Sequence, residues 1–255
     1  MTEAAVRLRG VSKRFGATQA LAAVDLDIVA GEVHALVGQT GAGKSTLGKI
    51  IGGIYERDSG DFEAFDQPVE HWTPRLALDN GIAMIHQELS LVPELSVAQN
   101  VFLGIERHRF GLFDGSVRSR FEELNARAGF RLDPGARVAD LRIADQQKVE
   151  ILRAIARDTR LIIMDEPTSA LSIDEARHLF DCIAWLRDEQ HTIVYVSHFL
   201  DEVLDISQRV TVMRDGRVIR TAPAADETKE TLVAGMLGRS LELTFPAAPA
   251  PPDDD

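Results

Sequence analysis

The chain has 255 residues, 45% of them hydrophobic, enough to bury a full core in one large domain divisible into two lobes and too many for a disordered chain. Lys and Arg number 28 against 40 Asp and Glu, a formal net charge of −12, which disfavours a sequence-independent grip on phosphate backbones, so no nucleic-acid partner is expected. The single cysteine, Cys182, excludes an intrachain disulfide and fits an intracellular setting; the opening MTEAAVRLRG lacks a signal-peptide stretch, and no run is long enough to span a bilayer, so membrane work is expected to go through partners.

In chain order, residues 6–37 hold three short alternating apolar segments, VRLRGV, AVDLDIV and EVHALVG, which read as strands. The last, nearly all apolar, runs into Gly38-Gln39-Thr40-Gly41-Ala42-Gly43-Lys44-Ser45-Thr46 and then LGKIIGG, a helix that opens on a glycine-rich loop and closes at Gly52 and Gly53. Over residues 88–160, SVAQNVFLGI, FEELNARAGF and ADQQKVEILRAIARD space apolar residues by three and four, which predicts a helical lobe. Strands return from Leu161 as LIIMDE, TIVYVSH and RVTVMRDGRVIR, with DEARHLFDCIAWLRDEQ a helix between the first two, the alternation of a parallel sheet. The Pro-, Ala- and Asp-rich end predicts a flexible tail or linker stub over residues 246–255, leaving 1–245 as the folded domain. There is no internal repeat and no heptad run.

The segment from Gly38 to Thr46 is a phosphate-binding P-loop in strand-loop-helix context. Backbone N–H groups must wrap closely around a phosphate, so Gly38, Gly41 and Gly43 are expected to keep side chains away and allow unusual dihedrals, while the following helix aims its positive end at the anion. Lys44 supplies a mobile charge to the β- and γ-phosphates, and the Ser45 hydroxyl takes a place on Mg²⁺. LIIMDE ends in two acids: Asp165 near the metal and Glu166 just beyond, where a water can attack the γ-phosphate. A guanine-reading Asn-Lys-x-Asp segment is absent, which argues against a GTPase; on these two motifs alone, kinase-like phosphotransferases stay open.

The remaining motifs, in their order, make the chain resemble the ATPases of ABC transporters over residues 6–246, essentially everything but the ends. Gln87 in IAMIHQELS resembles the Q-loop glutamine that touches Mg²⁺, PTSAL after Glu166 resembles the passage from Walker B to D-loop, His198 at the end of TIVYVSH resembles the switch histidine on the γ-phosphate, and Phe15 resembles the aromatic residue stacked on adenine. IHQELSLVPELSVAQNVFLG and the late MLGRSLE narrow the resemblance to the amino-terminal cassette of tandem ATPases that energise ribose-, galactose- and xylose-type importers. The resemblance implies an α/β P-loop NTPase fold of the ABC type, with a mainly parallel core sheet, an antiparallel β subdomain and a helical subdomain. It also implies ATP and Mg²⁺ as ligands, with Glu166, His198 and Gln87 catalytic, Phe15 and residues 38–46 on the nucleotide, and Ser45, Gln87 and Asp165 on the metal. The partners implied are a second cassette, separate or covalently continued, transmembrane permease subunits and, indirectly, a sugar-binding protein; the implied location is the cytoplasmic face of the cell membrane. In the family, the region of residues 89–103 receives a permease helix, and Leu91, Val97 and Phe102 are either that groove or core.

The departures lie in the signature, Leu-Ser-Gly-Gly-Gln in the family and Leu141-Arg142-Ile143-Ala144-Asp145 here, in Thr40 for a usual Asn, and in Ser172 for a usual Asp. Arg142 is bulkier and Ala144 adds a methyl where bare backbone must approach a partner's γ-phosphate, so the resemblance implies an asymmetric dimer with one hydrolytic site, unless the Arg142 guanidinium serves as a phosphate ligand. Two other readings stand beside an importer: a non-transport ABC ATPase of ribosome or DNA repair, and a regulatory subunit that binds ATP without turnover.

Overall fold

The computed structural model describes residues 3–86, 89–105, 108–109, 112–113 and 117–238. The first part of the chain forms β1 (Ala4–Phe15), β2 (Thr18–Val29), β3 (Val33–Val37), α1 (Lys44–Ile51), β4 (Ser59–Ala64), β5 (Gln67–Pro68), α2 (Pro74–Asp79) and β6 (Ile82–Ile85). Then come α3 (Val97–Phe102), a two-stranded pair of β7 (His108–Arg109) and β8 (Leu112–Phe113), α4 (Val117–Arg127) and α5 (Ile143–Ile155). The last part adds β9 (Leu161–Asp165), α6 (Ile173–Asp188), β10 (Thr192–Val196), α7 (Leu200–Ile206), β11 (Arg209–Arg214), β12 (Arg217–Pro223) and α8 (Lys229–Leu237).

Two sheets carry the architecture. An antiparallel sheet of order β2-β1-β4-β5 uses strands whose buried and exposed residues alternate, as a sheet with one covered face requires. A six-stranded sheet of order β12-β11-β3-β10-β9-β6 is parallel except for β12. Its strands β3, β9 and β10 are buried at every residue, which is why VHALV, LIIMD and TIVYV read as near-continuous apolar runs. Alternation along these strands divides the core in two. Val33, Ala35, Ile162, Met164, Ile193 and Tyr195 face α3, α5, α6 and α8, whereas Leu36, Leu161, Ile163, Val194 and Val196 face α1 and the antiparallel sheet.

Local chemistry sets the helix starts. Ser96 and Ser172 each cap a helix in a reciprocal capping box, with Gln99 and Glu175, and α8 stops at Gly238 in the left-handed region. Cys182 is buried under α6; burial pushes its thiol up to about 12, so it packs as a small hydrophobe.

Two features differ from the sequence reading, and a third decides between alternatives it left open. RVTVMRDGRVIR is two strands, because Asp215 and Gly216 both take positive φ (51° and 73°) and turn the chain into a hairpin. SGDFEA and IAMI form β4 and β6, too short for their periodicity to stand out from the flanking loops. Val97 and Phe102 are core residues, 0% and 1% exposed, and Leu91 packs against the same cluster, so the apolar spacing of this segment serves interior packing.

Candidate nucleotide site

The site lies where β3, β9 and β10, adjacent and parallel, end at the same edge of the sheet, the place where open α/β sheets leave a crevice beyond their carboxyl ends. Each strand delivers part of it: β3 the P-loop, β9 the two acids, β10 the segment Ser197-His198.

Two of the three P-loop glycines are dictated by protein neighbours. A Cβ on Gly38 would lie 2.4 Å from the Met213 carbonyl oxygen, and one on Gly43, where φ is 101°, would lie 2.7 Å from the Ala20 carbonyl oxygen. Gly41, at φ 84°, has open space beside it and is the one whose freedom serves the loop's outer face. The sequence reading gave all three to the ligand; for Gly38 and Gly43 the close packing of β11 and β2 is sufficient cause. The bracing continues through backbone bonds, with the Gly216 N–H donating to the Ala42 carbonyl (3.1 Å) and the Ala22 N–H to the Gly216 carbonyl (2.8 Å). The hairpin turn at Asp215-Gly216 is therefore part of the site's support. Its Asp-Gly pair signals a turn in the sequence, with nothing to say where the turn docks. Gln39 and Thr40 are exposed, Ala42 is buried, and Thr46 lies half-buried on α1.

Lys44 is 6% exposed and its Nζ donates to the carbonyls of Gly38 (2.8 Å) and Gln39 (3.1 Å). Burial pushes the ammonium below the ordinary lysine value, against the opposing pull of Glu166 and Asp165. Among the described residues no carboxylate is paired with it, and the acids that pull on this buried charge are Glu166 and Asp165 at longer range. An anion such as phosphate fits that arrangement. The Ser45 hydroxyl donates to Asp165 Oδ1 at 2.9 Å, which puts a hydroxyl and a buried carboxylate side by side. Among the described residues no group of three His, Cys, Asp or Glu is placed to hold a metal ion. A hydroxyl and one carboxylate nonetheless suit Mg²⁺, which takes most of its oxygens from phosphate and water.

Glu166 follows β9 in the left-handed region (φ 48°), with its N–H donating to the Val196 carbonyl at 2.9 Å. A non-glycine residue in that conformation is strained and is held by its surroundings. His198 Nδ1 stands 3.4 Å from Glu166 Oε1, and both side chains are solvent-accessible, unlike Asp165. The Phe199 ring lies 4.1 Å from the imidazole, centroid to centroid. Phe15, 43% exposed at the end of β1, meets Tyr55 edge-on at 5.1 Å. It pairs with Thr18, two residues before Ala20, whose carbonyl abuts Gly43, so Phe15 lies at the end of the antiparallel sheet nearer the P-loop. Gln87 lies outside the described residues.

The stretch of residues 141–145, expected to stand where the family carries its signature, leads into the start of α5. Arg142 is its N-cap residue and makes no capping bond, and Ile143 is 50% exposed. Glu175 is held below the usual carboxylate range first by bonds from Ser172 and then by Arg142 and Lys148, which brings the starts of α5 and α6 together on one face. A separate cleft of about 450 Å³ opens between Ile54, Met84 and His86 on one side and Ser90, Arg153 and Arg157 on the other. No helix among the described residues is long and apolar enough to cross a membrane.

The profile of the ABC transporter family matches residues 21–169. Ribose import ATP-binding protein RbsA 1 of Rubrobacter xylanophilus is 46% identical over 242 residues, 94% of this chain and 48% of that protein. A putative ribose/galactose/methyl galactoside import ATP-binding protein of Burkholderia lata is 47% identical over 247 residues, 96% of this chain and 48% of that protein. The chain spans about half the length of the curated relatives it matches. A solved nucleotide-free ATP-binding cassette from an ABC transporter shares the fold at TM-score 0.81 and 22% identity, covering 91% of this chain and 96% of that one.

Proposed function

This chain belongs to the ABC transporter family, and on that premise we propose that it is the ATP-hydrolysing cassette of a monosaccharide importer, working against a second cassette that carries an intact signature. The observation that supports the chemistry is the meeting of Lys44, the Ser45-Asp165 pair and the Glu166-His198 pair at the ends of three adjacent parallel strands. The sugar class rests on the printed names of the two relatives, both import ATP-binding proteins for ribose or galactose.

In this reading the exposed Phe15 ring takes the adenine face, the P-loop N–H groups from Gly41 to Ser45 wrap the phosphates, and Lys44 places its charge on the β- and γ-phosphates. Ser45, Asp165 and Gln87 would hold Mg²⁺, which when bound would neutralise charge on the phosphate oxygens. Glu166 accepts a proton from the water that forms a bond to the γ-phosphorus as the bond to the leaving ADP oxygen breaks. His198, 3.4 Å from Glu166, donates a hydrogen bond to the γ-phosphate and holds it near the base. The cleft at Ile54, Met84 and Arg153 receives a permease helix, and the cassette works at the cytoplasmic face of the membrane. The sugar itself is read by a binding protein and the permease. Residues 1–245 form the cassette, with residues 88–160 inserted as its helical part.

The test is Glu166→Gln in the complex reconstituted with permease and partner cassette in liposomes. Nucleotide binding should persist while ATP turnover and uptake of ribose or galactose fall by about 10²-fold or more. Turnover at the unmodified rate would overturn the assignment of the base; ATP turnover without sugar uptake by the unmodified complex would overturn the transport reading.

A further inference from the structure

One carboxylate oxygen outside the motifs collects three buried hydroxyls. Glu202 Oε2, on α7, accepts from Thr168 Oγ1 (2.8 Å), Tyr195 Oη (2.8 Å) and Ser197 Oγ (3.3 Å). Thr168, Tyr195 and Ser197 are 6%, 0% and 1% exposed, so the three hydroxyls are withdrawn from bulk water and need partners inside the protein. Burial pushes the Tyr195 phenol well above its ordinary value, which keeps it a donor. The three donors sit at informative places: Thr168 two residues after Glu166, Ser197 one residue before His198, and Tyr195 on β10, two residues before Ser197.

The two flanking segments are also tied through their backbones: the Ser169 N–H donates to the Glu166 carbonyl (3.2 Å), the Leu171 N–H to the Thr168 carbonyl (3.0 Å) and the Ser197 N–H to the Leu36 carbonyl (3.4 Å). Glu166 holds a left-handed conformation with its N–H on the Val196 carbonyl. The Pro167 carbonyl accepts from the Gln147 side chain on α5. On the other side, the Phe199 N–H donates to Ser197 Oγ at 3.0 Å, so the hydroxyl that donates to Glu202 also shapes the turn carrying His198. Both flanks of the Glu166-His198 pair thus donate a hydroxyl to a single oxygen, and losing it would remove that side-chain link from both at once while the backbone bonds stay.

Resting on the hydrolytic reading above, we propose that Glu202 is a positioning residue for ATP hydrolysis: its carboxylate fixes Thr168 and Ser197 against each other and so sets the separation of Glu166 from His198. It touches neither nucleotide nor water in this scheme; it acts through the two segments. Its effect therefore falls on the chemical step, where misplacing a base by a fraction of an ångström to 1 Å costs about 10²-fold at the upper end.

The experiment compares Glu202→Ala, Glu202→Gln, Thr168→Val and Glu166→Gln in the assembled complex, measuring turnover against ATP concentration and, separately, the unfolding midpoint. Glu202→Ala should lower kcat by about tenfold or more with KM for ATP within about twofold. Glu202→Gln, which keeps an acceptor oxygen, should recover most of that loss. Thr168→Val removes one donor and keeps the carboxylate; it should lower kcat by about threefold or more with KM unchanged, and it reads the same coupling if Glu202→Ala does not fold. In the double variant Thr168→Val with Glu202→Ala, the loss should be no larger than in Glu202→Ala alone. Lowered unfolding midpoints with kcat kept within about twofold would make Glu202 a structural tie only and overturn the assignment. Failure of the underlying reading shows separately, as Glu166→Gln turning over like the unmodified complex.

Discussion

At the scale of the residue, Lys44 carries the clearest imbalance between what the fold stabilises and what a ligand would. Its ammonium is buried, pushed below its ordinary value by desolvation, and among the described residues bonded to two carbonyls of its own loop. A charge in that position costs the empty protein stability and gains it back only when an anion arrives. Lys44→Met should therefore change the unfolding free energy of the nucleotide-free chain by no more than about 1 kcal/mol. It should also abolish the stabilisation by ATP, which for one site at a hundredfold excess over Kd is about 2.7 kcal/mol. Thermal melts with and without ATP check both halves. A loss of stability in the nucleotide-free chain alone, with the ATP effect intact, would mean that Lys44 is a packing residue.

At the scale of the element, α3 and the cleft beside β6 separate two roles that share one stretch of sequence. Val97 and Phe102 point into the core that α3 makes with α4 and α5, whereas Ile54 and Met84 line the open cleft. Phe102→Ala should cost about 3–5 kcal/mol in denaturant unfolding, the range for emptying a buried aromatic site. Ile54→Asp, at a residue 36% exposed, should leave stability within about 0.5 kcal/mol and weaken capture of the permease. Unchanged permease binding in Ile54→Asp, measured by co-purification from detergent, would remove the cleft as the docking site.

At the scale of the whole molecule, a P-loop and acid pair stand in the same chain as the stretch of residues 141–145, which in the proposed reading takes the place of the family's signature without its serine and glycines. Arg142 leaves the start of α5 without a side-chain cap, and Ile143 presents an aliphatic surface there. If a partner cassette supplies the working signature, this chain alone should turn over ATP slowly at every protein concentration. Arg142→Ser with Ala144→Gly should raise that rate by about tenfold or more, in a concentration-dependent way, as two restored signatures allow two copies to complete each other's sites. Brisk turnover by the unmodified chain, unimproved by the restored signature, would favour a homodimer in which Arg142 binds phosphate.

What the sequence determined by itself was the chemistry whose residues are contiguous. The spacing from Gly38 to Ser45 after an apolar strand, and the acids at the end of LIIMDE, needed no fold to be read, because a P-loop and a strand-end acid pair are each set by local backbone geometry. The buried parallel strands were legible for the same reason: five residues covered on both faces are mostly apolar, and the polar exceptions His34 and Thr192 are hydrogen-bonded. What the tertiary structure alone decided is everything that depends on residues distant in the chain. Gly38 and Gly43 are glycine because Met213 and Ala20 stand against them, Phe102 is core because α3 packs on α5, and Glu202 matters because β9, β10 and α7 bring Thr168, Tyr195 and Ser197 to one oxygen. Such contacts have no period and no motif; they exist only once the sheet order β3-β10-β9 has been set by the packing of the two core faces.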